Sequence, residues 1–108
     1  NIRVHFEVDQ AILTRHMSME QRKNIYMISK EAINNAVKYS AACNLLFSLH
    51  HKGPGFQLTI KDDGVGFDMS NARKGNGMIN MLARAEEMKS ELQIESKPGA
   101  GTVVVLKW

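Results

Sequence analysis

Ile2, Val4, Phe6 and Val8 alternate with polar residues, a period of two that predicts a half-buried strand at the start of the chain. Ser18-Met19-Glu20-Gln21 then has the form of a capping box and opens a helix. Ile25, Ile28, Ala32, Ile33 and Ala36 recur at helical spacing behind it, so the helix is predicted to run to about Tyr39. Leu45, Phe47 and Leu49 alternate, Gly53-Pro54-Gly55 marks a turn, and Phe56, Leu58 and Ile60 alternate again. Residues 44–61 therefore read as a β-hairpin. A glycine-punctuated stretch without periodicity fills 62–77. A second helix follows with Met78, Met81, Leu82, Ala85 and Met88 on one face. Leu92, Ile94 and Ser96 form a strand, 97–101 turn the chain, and Val103, Val105 and Leu106 lie in the last strand.

The predicted order is β-α-β-β-α-β-β. Hairpins make the sheet mixed but mostly antiparallel. Each helix has one apolar stripe, so both are expected on the same face of the sheet. The fold class is α+β, a two-layer α/β sandwich.

Composition narrows the function without naming it. The chain has 108 residues, enough for one domain that buries somewhat over ~60% of its unfolded surface. Apolar residues make up 44% and charged residues 23%, ordinary values for a globular protein. The net charge of +3 comes from scattered Lys and Arg, which argues against a nucleic-acid surface. A single cysteine, Cys43, rules out an internal disulfide and fits a reducing compartment. No apolar run reaches the ~18 residues of a membrane helix. Both ends are strand-like, so the expectation is that residues 1–108 are a domain excised from a larger protein.

Three places carry candidate chemistry. Glu31, Asn35 and Lys38 fall within one narrow sector of the first helix, presenting a carboxylate, an amide and an ammonium beside the apolar stripe. A solvated polar face would look the same, but Asn is a mediocre mid-helix residue, and its side-chain oxygen suits a hard cation such as Mg²⁺. Asp62-Asp63-Gly64-Val65-Gly66-Phe67 follows the strand containing Ile60. Its carboxylate is placed to accept hydrogen bonds from an amino group, and its glycines let backbone approach a flat ligand. An ordinary Asp-Gly turn is the plainer reading. Lys74-Gly75-Asn76-Gly77 precedes the second helix, where free N–H groups and the macrodipole favour an anion. A cheap Gly-x-Gly turn is the alternative there. The spacing of a calcium loop and the Gly-Lys-Ser/Thr of a P-loop are both missing.

Taken in order, the three resemble one known pattern, the ATP-binding catalytic domain of sensor histidine kinases, a branch of the Bergerat-fold ATPases shared with DNA gyrase. Residues 31–40 look like the N box, 62–67 like the G1 box, 75–78 like the G2 box, and Gly101-Thr102 like the closing Gly-Thr element. Glu31 at the start of the N box and the run 81–85 are similar to the subgroup whose partner regulators carry helix-turn-helix outputs. Met78 in place of the commoner Leu, and Ala83 where an acidic residue is frequent, are departures.

The resemblance implies roles residue by residue. Asp62 accepts a hydrogen bond from the adenine amino group, Gly64 and Gly66 pass close to the base, and Thr102 supports the adenine site. Tyr39 lies near the base or ribose. Asn35 ligates Mg²⁺, and Lys38 with the N–H groups around Gly75 and Gly77 neutralises phosphate charge. Glu31 is either a general base or a residue orienting Mg²⁺ or water. His5, His16, His50 and His51 are read as structural, so the phospho-acceptor histidine belongs to an upstream dimerisation domain. The implied partners are ATP, that domain and a downstream response regulator, with no nucleic acid. The implied whole protein is a homodimeric, ATP-dependent protein histidine kinase. Its kinase domain is cytoplasmic and its anchor lies in the bacterial inner membrane. Alternatives are a hydrolytic ATPase, an anti-sigma-type serine kinase or a regulatory nucleotide-binding module of the same fold.

Overall fold

The computed structural model describes residues 2–10, 17–38, 43–66 and 76–108. Among these, the elements follow as β1 (Arg3–Val8), α1 (Met19–Lys38), β2 (Asn44–Lys52), β3 (Gly55–Asp62), α2 (Asn76–Glu87), β4 (Glu91–Ser96) and β5 (Thr102–Lys107). The strands form one sheet in the order β1-β2-β3-β5-β4. β1 and β2 are parallel and the other neighbouring pairs antiparallel, the mixed sheet expected from the hairpins.

Local chemistry sets the element ends. Gln21 donates its N–H to Ser18 Oγ at 3.1 Å, and Ser18 donates its own to Gln21 Oε1 at 3.1 Å. Two donors left over at the start of α1 are thus satisfied reciprocally. Lys52 and Gly55 close the β2–β3 ladder. Between them Gly53 has φ +60° and Pro54 is held by its ring near about −65°, the signs that a type II′ hairpin turn requires.

Register lays three rows of side chains across the helix-covered face of β2, β3, β5 and β4. Leu49, Leu58, Leu106 and Leu92 make the first, and Phe47, Ile60, Val104 and Ile94 the second. Leu45, Asp62, Thr102 and Ser96 make the third. The first two rows and Leu45 pack under Ile28, Ala32 and Ala36 of α1 and Met81 and Ala85 of α2, with Met88 beside them, to form the core. The third row turns polar after Leu45, at one end of the sheet.

Three expectations change. β1 is exposed at all six positions rather than half-buried. It is an edge strand, and its row of Val4, Phe6 and Val8 continues the rows of β2 beyond the strands that the helices cover. Phe6 is 66% exposed and touches only the edge of the core, with its ring 5.5 Å from that of Phe47. Leu82 lies outside the buried stripe of α2. Met81, Ala85 and Met88 define that stripe, and Leu82 is about 100° around from Met81. Asp62 is the last residue of β3 instead of the first residue of a turn. Its side chain therefore follows the alternation of Leu58 and Ile60 inward.

Finally, Asn24 on α1 is fully buried, and neither polar atom of its side chain has a hydrogen-bond partner among the described residues. An unsatisfied buried polar group costs about 1–3 kcal/mol. Asn24→Leu, close in volume, is accordingly expected to raise the urea midpoint without changing the slope of the transition, an increase on the order of 1 kcal/mol.

Candidate functional site

Chain direction brings the candidate residues to one end of the sandwich. β1 and β2 are parallel, so α1, which connects them, runs back against both and ends near the start of β2. β3 ends there too, because Asp62 pairs with Leu45. β4 begins opposite Lys107 and ends opposite Thr102, so α2 runs from this end to the far one. The last turns of α1, the N-terminus of α2 and the polar row Asp62-Thr102-Ser96 are thus gathered together, and α1 packs against α2 above the sheet.

The polar row is held by short, directed contacts. Asp62 is buried, and its Oδ1 accepts the Gly64 N–H at 2.9 Å. This closes the turn at the end of β3. Thr102 lies opposite Asp62, so the two side chains share a face about 5 Å apart at their β-carbons. Thr102 Oγ1 is 2.8 Å from Ser96 Oγ, which also reaches the Gly101 carbonyl at 3.1 Å.

Glycines let the strand ends meet. A β-carbon on Gly101, where φ is +75°, would lie 2.2 Å from the Asp62 carbonyl oxygen. One on Gly66, where φ is +68°, would lie 2.1 Å from the Lys97 carbonyl and 2.9 Å from that of Gly101. Gly66 therefore admits the β4–β5 turn. That turn donates its Gly99 N–H to the Val65 carbonyl at 2.5 Å. Within it the Ala100 N–H reaches Lys97 O at 3.0 Å, with Pro98 and the positive-φ Gly99 at the central positions, the residues a type II turn requires.

Asp63 points the opposite way from Asp62 and has a different task. Its Oδ1 accepts the N–H groups of Cys43 and Asn44, both at 2.8 Å, and its Oδ2 accepts the Asn44 side-chain N–H at 2.8 Å. The side-chain bond from Asn44, then the two backbone bonds, hold the carboxyl below the usual aspartate range. Asp63 clamps the start of β2 to the end of β3.

Glu31 and Asn35 are both half-buried on one edge of α1. Lys38 is its last residue and Gly77 the second of α2. Tyr39 and Gly75 lie outside the described residues, as does His16. A cavity of about 500 Å³ lined by Ile25, Tyr26, Ile33 and Phe47 lies on the other flank of α1, away from Glu31. Sequence reasoning did not assign Ser96 or Asp63 to the site. Ser96 continues the alternation of Leu92 and Ile94, a polar residue where an apolar one is due, and that was the available signal.

The family described as histidine kinase-, DNA gyrase B- and HSP90-like ATPases matches residues 20–108. The chain belongs to this family. Two relatives match this ATPase-family domain over most of its length. The signal transduction histidine-protein kinase/phosphatase DegS of Bacillus subtilis is 26% identical over 110 residues, covering 98% of this chain and 29% of that protein. The nitrate/nitrite sensor protein NarX of Escherichia coli is 27% identical over 101 residues, covering 93% of this chain and 17% of that protein. The domain thus spans less than a third of either relative. The histidine kinase domain of the Erythrobacter litoralis blue-light activated histidine kinase has the same fold, with a TM-score of 0.81 at 21% identity over 98% of this chain and 53% of that one.

Two outcomes follow for this ATPase-family domain. Gly101→Ala forces apart β3 and β5 at Asp62, and is expected to lower stability by more than about 1 kcal/mol in urea unfolding. Asp63 has a folded pKa below its unfolded one, so its contribution is complete above about pH 4 and is lost as pH falls through the folded value. The difference in thermal midpoint between wild type and Asp63→Ala is expected to be constant from pH 7 to 5 and to shrink below about pH 4.

Proposed function

We propose that the chain is the ATP-binding catalytic domain of a sensor histidine kinase, holding Mg-ATP for transfer of its γ-phosphate to a histidine on a separate dimerisation domain. The observation that carries this reading is the buried Asp62 beside Thr102, at the end where the Glu31–Asn35 edge and the α2 N-terminus converge. The apolar rows supply a floor for a flat base, and Asp62 keeps one carboxylate oxygen to accept from an amino group. The N–H groups at the start of α2 and the last turn of α1 flank the place for a polyphosphate.

Asn35 Oδ1 and the Glu31 carboxylate are hard oxygen donors on one edge, the type Mg²⁺ takes when substrate phosphates complete its shell. Held by these two residues, Mg²⁺ would supply charge neutralisation to the phosphates. Phosphoryl transfer asks the protein chiefly to position groups and balance charge, and Glu31 orients Mg²⁺ or water in this reading.

The histidines support an acceptor elsewhere. His5 is on β1, and His50 and His51 are on β2. His50 contacts Ser48 at 3.1 Å, while His51 stacks on Phe56 and lies 3.4 Å from Asp9. None of these three is on a helix. The whole protein is then a homodimeric, two-component kinase that passes its phosphate to a response regulator. Its kinase domain faces the cytoplasm and its anchor lies in the inner membrane. No helix among the described residues is long and apolar enough to cross a membrane.

Calorimetric titration with ATP tests the site. Wild type is expected to bind more tightly with Mg²⁺ than without it. Asp62→Ala is expected to lose at least about tenfold in affinity, and Asn35→Ala to lose the Mg²⁺-dependent gain. Unchanged binding in Asp62→Ala removes the site. Adding a dimerisation domain from a related kinase is expected to give acid-labile phosphohistidine on that partner.

A further inference from the structure

Ser96 ends β4 and is buried at 6% exposure. Its hydroxyl lies 3.1 Å from the Gly101 carbonyl oxygen and 2.8 Å from Thr102 Oγ1. A carbonyl only accepts, and a serine hydroxyl has one proton. With the Ser96 hydroxyl donating to the Gly101 carbonyl, the bond between the two hydroxyls takes its proton from Thr102. The acceptor is firmly placed, because Gly101 is pressed against the Asp62 backbone.

We propose that Ser96 is a positioning residue which turns the Thr102 hydroxyl into an acceptor and so sets the site's preference for a 6-amino over a 6-oxo purine. The inference rests on the ATP-binding reading and extends it to base selectivity. With its proton engaged by Ser96, Thr102 offers only lone pairs toward Asp62. The Asp62 carboxylate also only accepts, and one of its oxygens is occupied by Gly64. This corner of the sheet is thus uniformly accepting, and a ligand group that donates fits there directly. A 6-oxo group brings lone pairs to lone pairs. A rotatable hydroxyl, by contrast, serves either partner by turning its proton around, and so discriminates poorly. Ser96 removes that freedom. The Asp62 carboxylate alone does not, since the ring N–H of a 6-oxo purine can also donate to it.

Equilibrium affinities for ATP and inosine triphosphate, measured by competition against a fluorescent ATP analogue, test this. The two ligands carry the same phosphates and differ in the amino and oxo groups. Wild type is expected to prefer ATP. Ser96→Ala is expected to lower the ATP-to-inosine ratio by about tenfold. Ser96→Thr, which retains the hydroxyl, restores the ratio. In a Thr102→Val background, Ser96→Ala leaves the ratio unchanged, because no proton remains to be redirected. Ser96→Cys, a weak donor of similar volume, shifts the ratio in the same direction and serves if the alanine variant does not fold. Equal losses for both nucleotides, or a ratio change that persists with Thr102→Val, overturn the inference and leave Ser96 a turn latch. Failure of wild type to bind either triphosphate overturns the ATP reading as well, and is distinguished by that wild-type measurement.

Discussion

Gly101 lies so close to β3 that a side chain on it would collide with the Asp62 carbonyl, and this backbone contact fixes where β5 meets β3. From that meeting point the register runs in one direction into the core, through Ile60 opposite Val104 and Leu58 opposite Leu106. In the other direction it ends at Asp62 opposite Thr102. Core and site are therefore consecutive rungs of one ladder. A slip of one residue would move every apolar side chain of β5 to the wrong face and at the same time turn Thr102 away from Asp62. The burial of leucines and isoleucines thus also holds the placement of the polar row.

The price of a buried carboxylate is lowered by internal bonding: Gly64 donates to Asp62, while the neighbouring Asp63 satisfies itself on Cys43 and Asn44 on the opposite side. Adjacent aspartates in a strand-to-turn transition face apart because side chains alternate. One is enclosed beside an apolar floor, where hydrogen bonds are electrostatically stronger than in water. The other stays exposed and ties β2 to β3. Two residues of identical chemistry differ in role only through pleat geometry.

Much of this was legible in the sequence. Period-two and helical patterns gave the element order, and the capping box gave the start of α1. What was missed depended on relations between distant segments. The exposure of β1 follows from which strands the helices cover, which alternation within 2–8 does not contain. Leu82 reads as apolar on the helical wheel, but the stripe of α2 is set by its contacts with α1 and β4. The task of Asp63 requires β2 to lie beside β3 across 19 residues of chain. Ser96 gains its meaning only when β5 lies next to β4 in register, so that its hydroxyl meets that of Thr102.

The latch between Gly66 and the β4–β5 turn has an evolutionary consequence. The chain leaves the polar row at Gly66, a point held by Lys97, Gly99 and Gly101. At Gly66 and Gly101 a β-carbon would run into backbone, which has no rotamer to move aside, so any side chain there displaces a strand end. Substitution at these two positions is therefore barred by main-chain contact alone, whatever the side chains around them become.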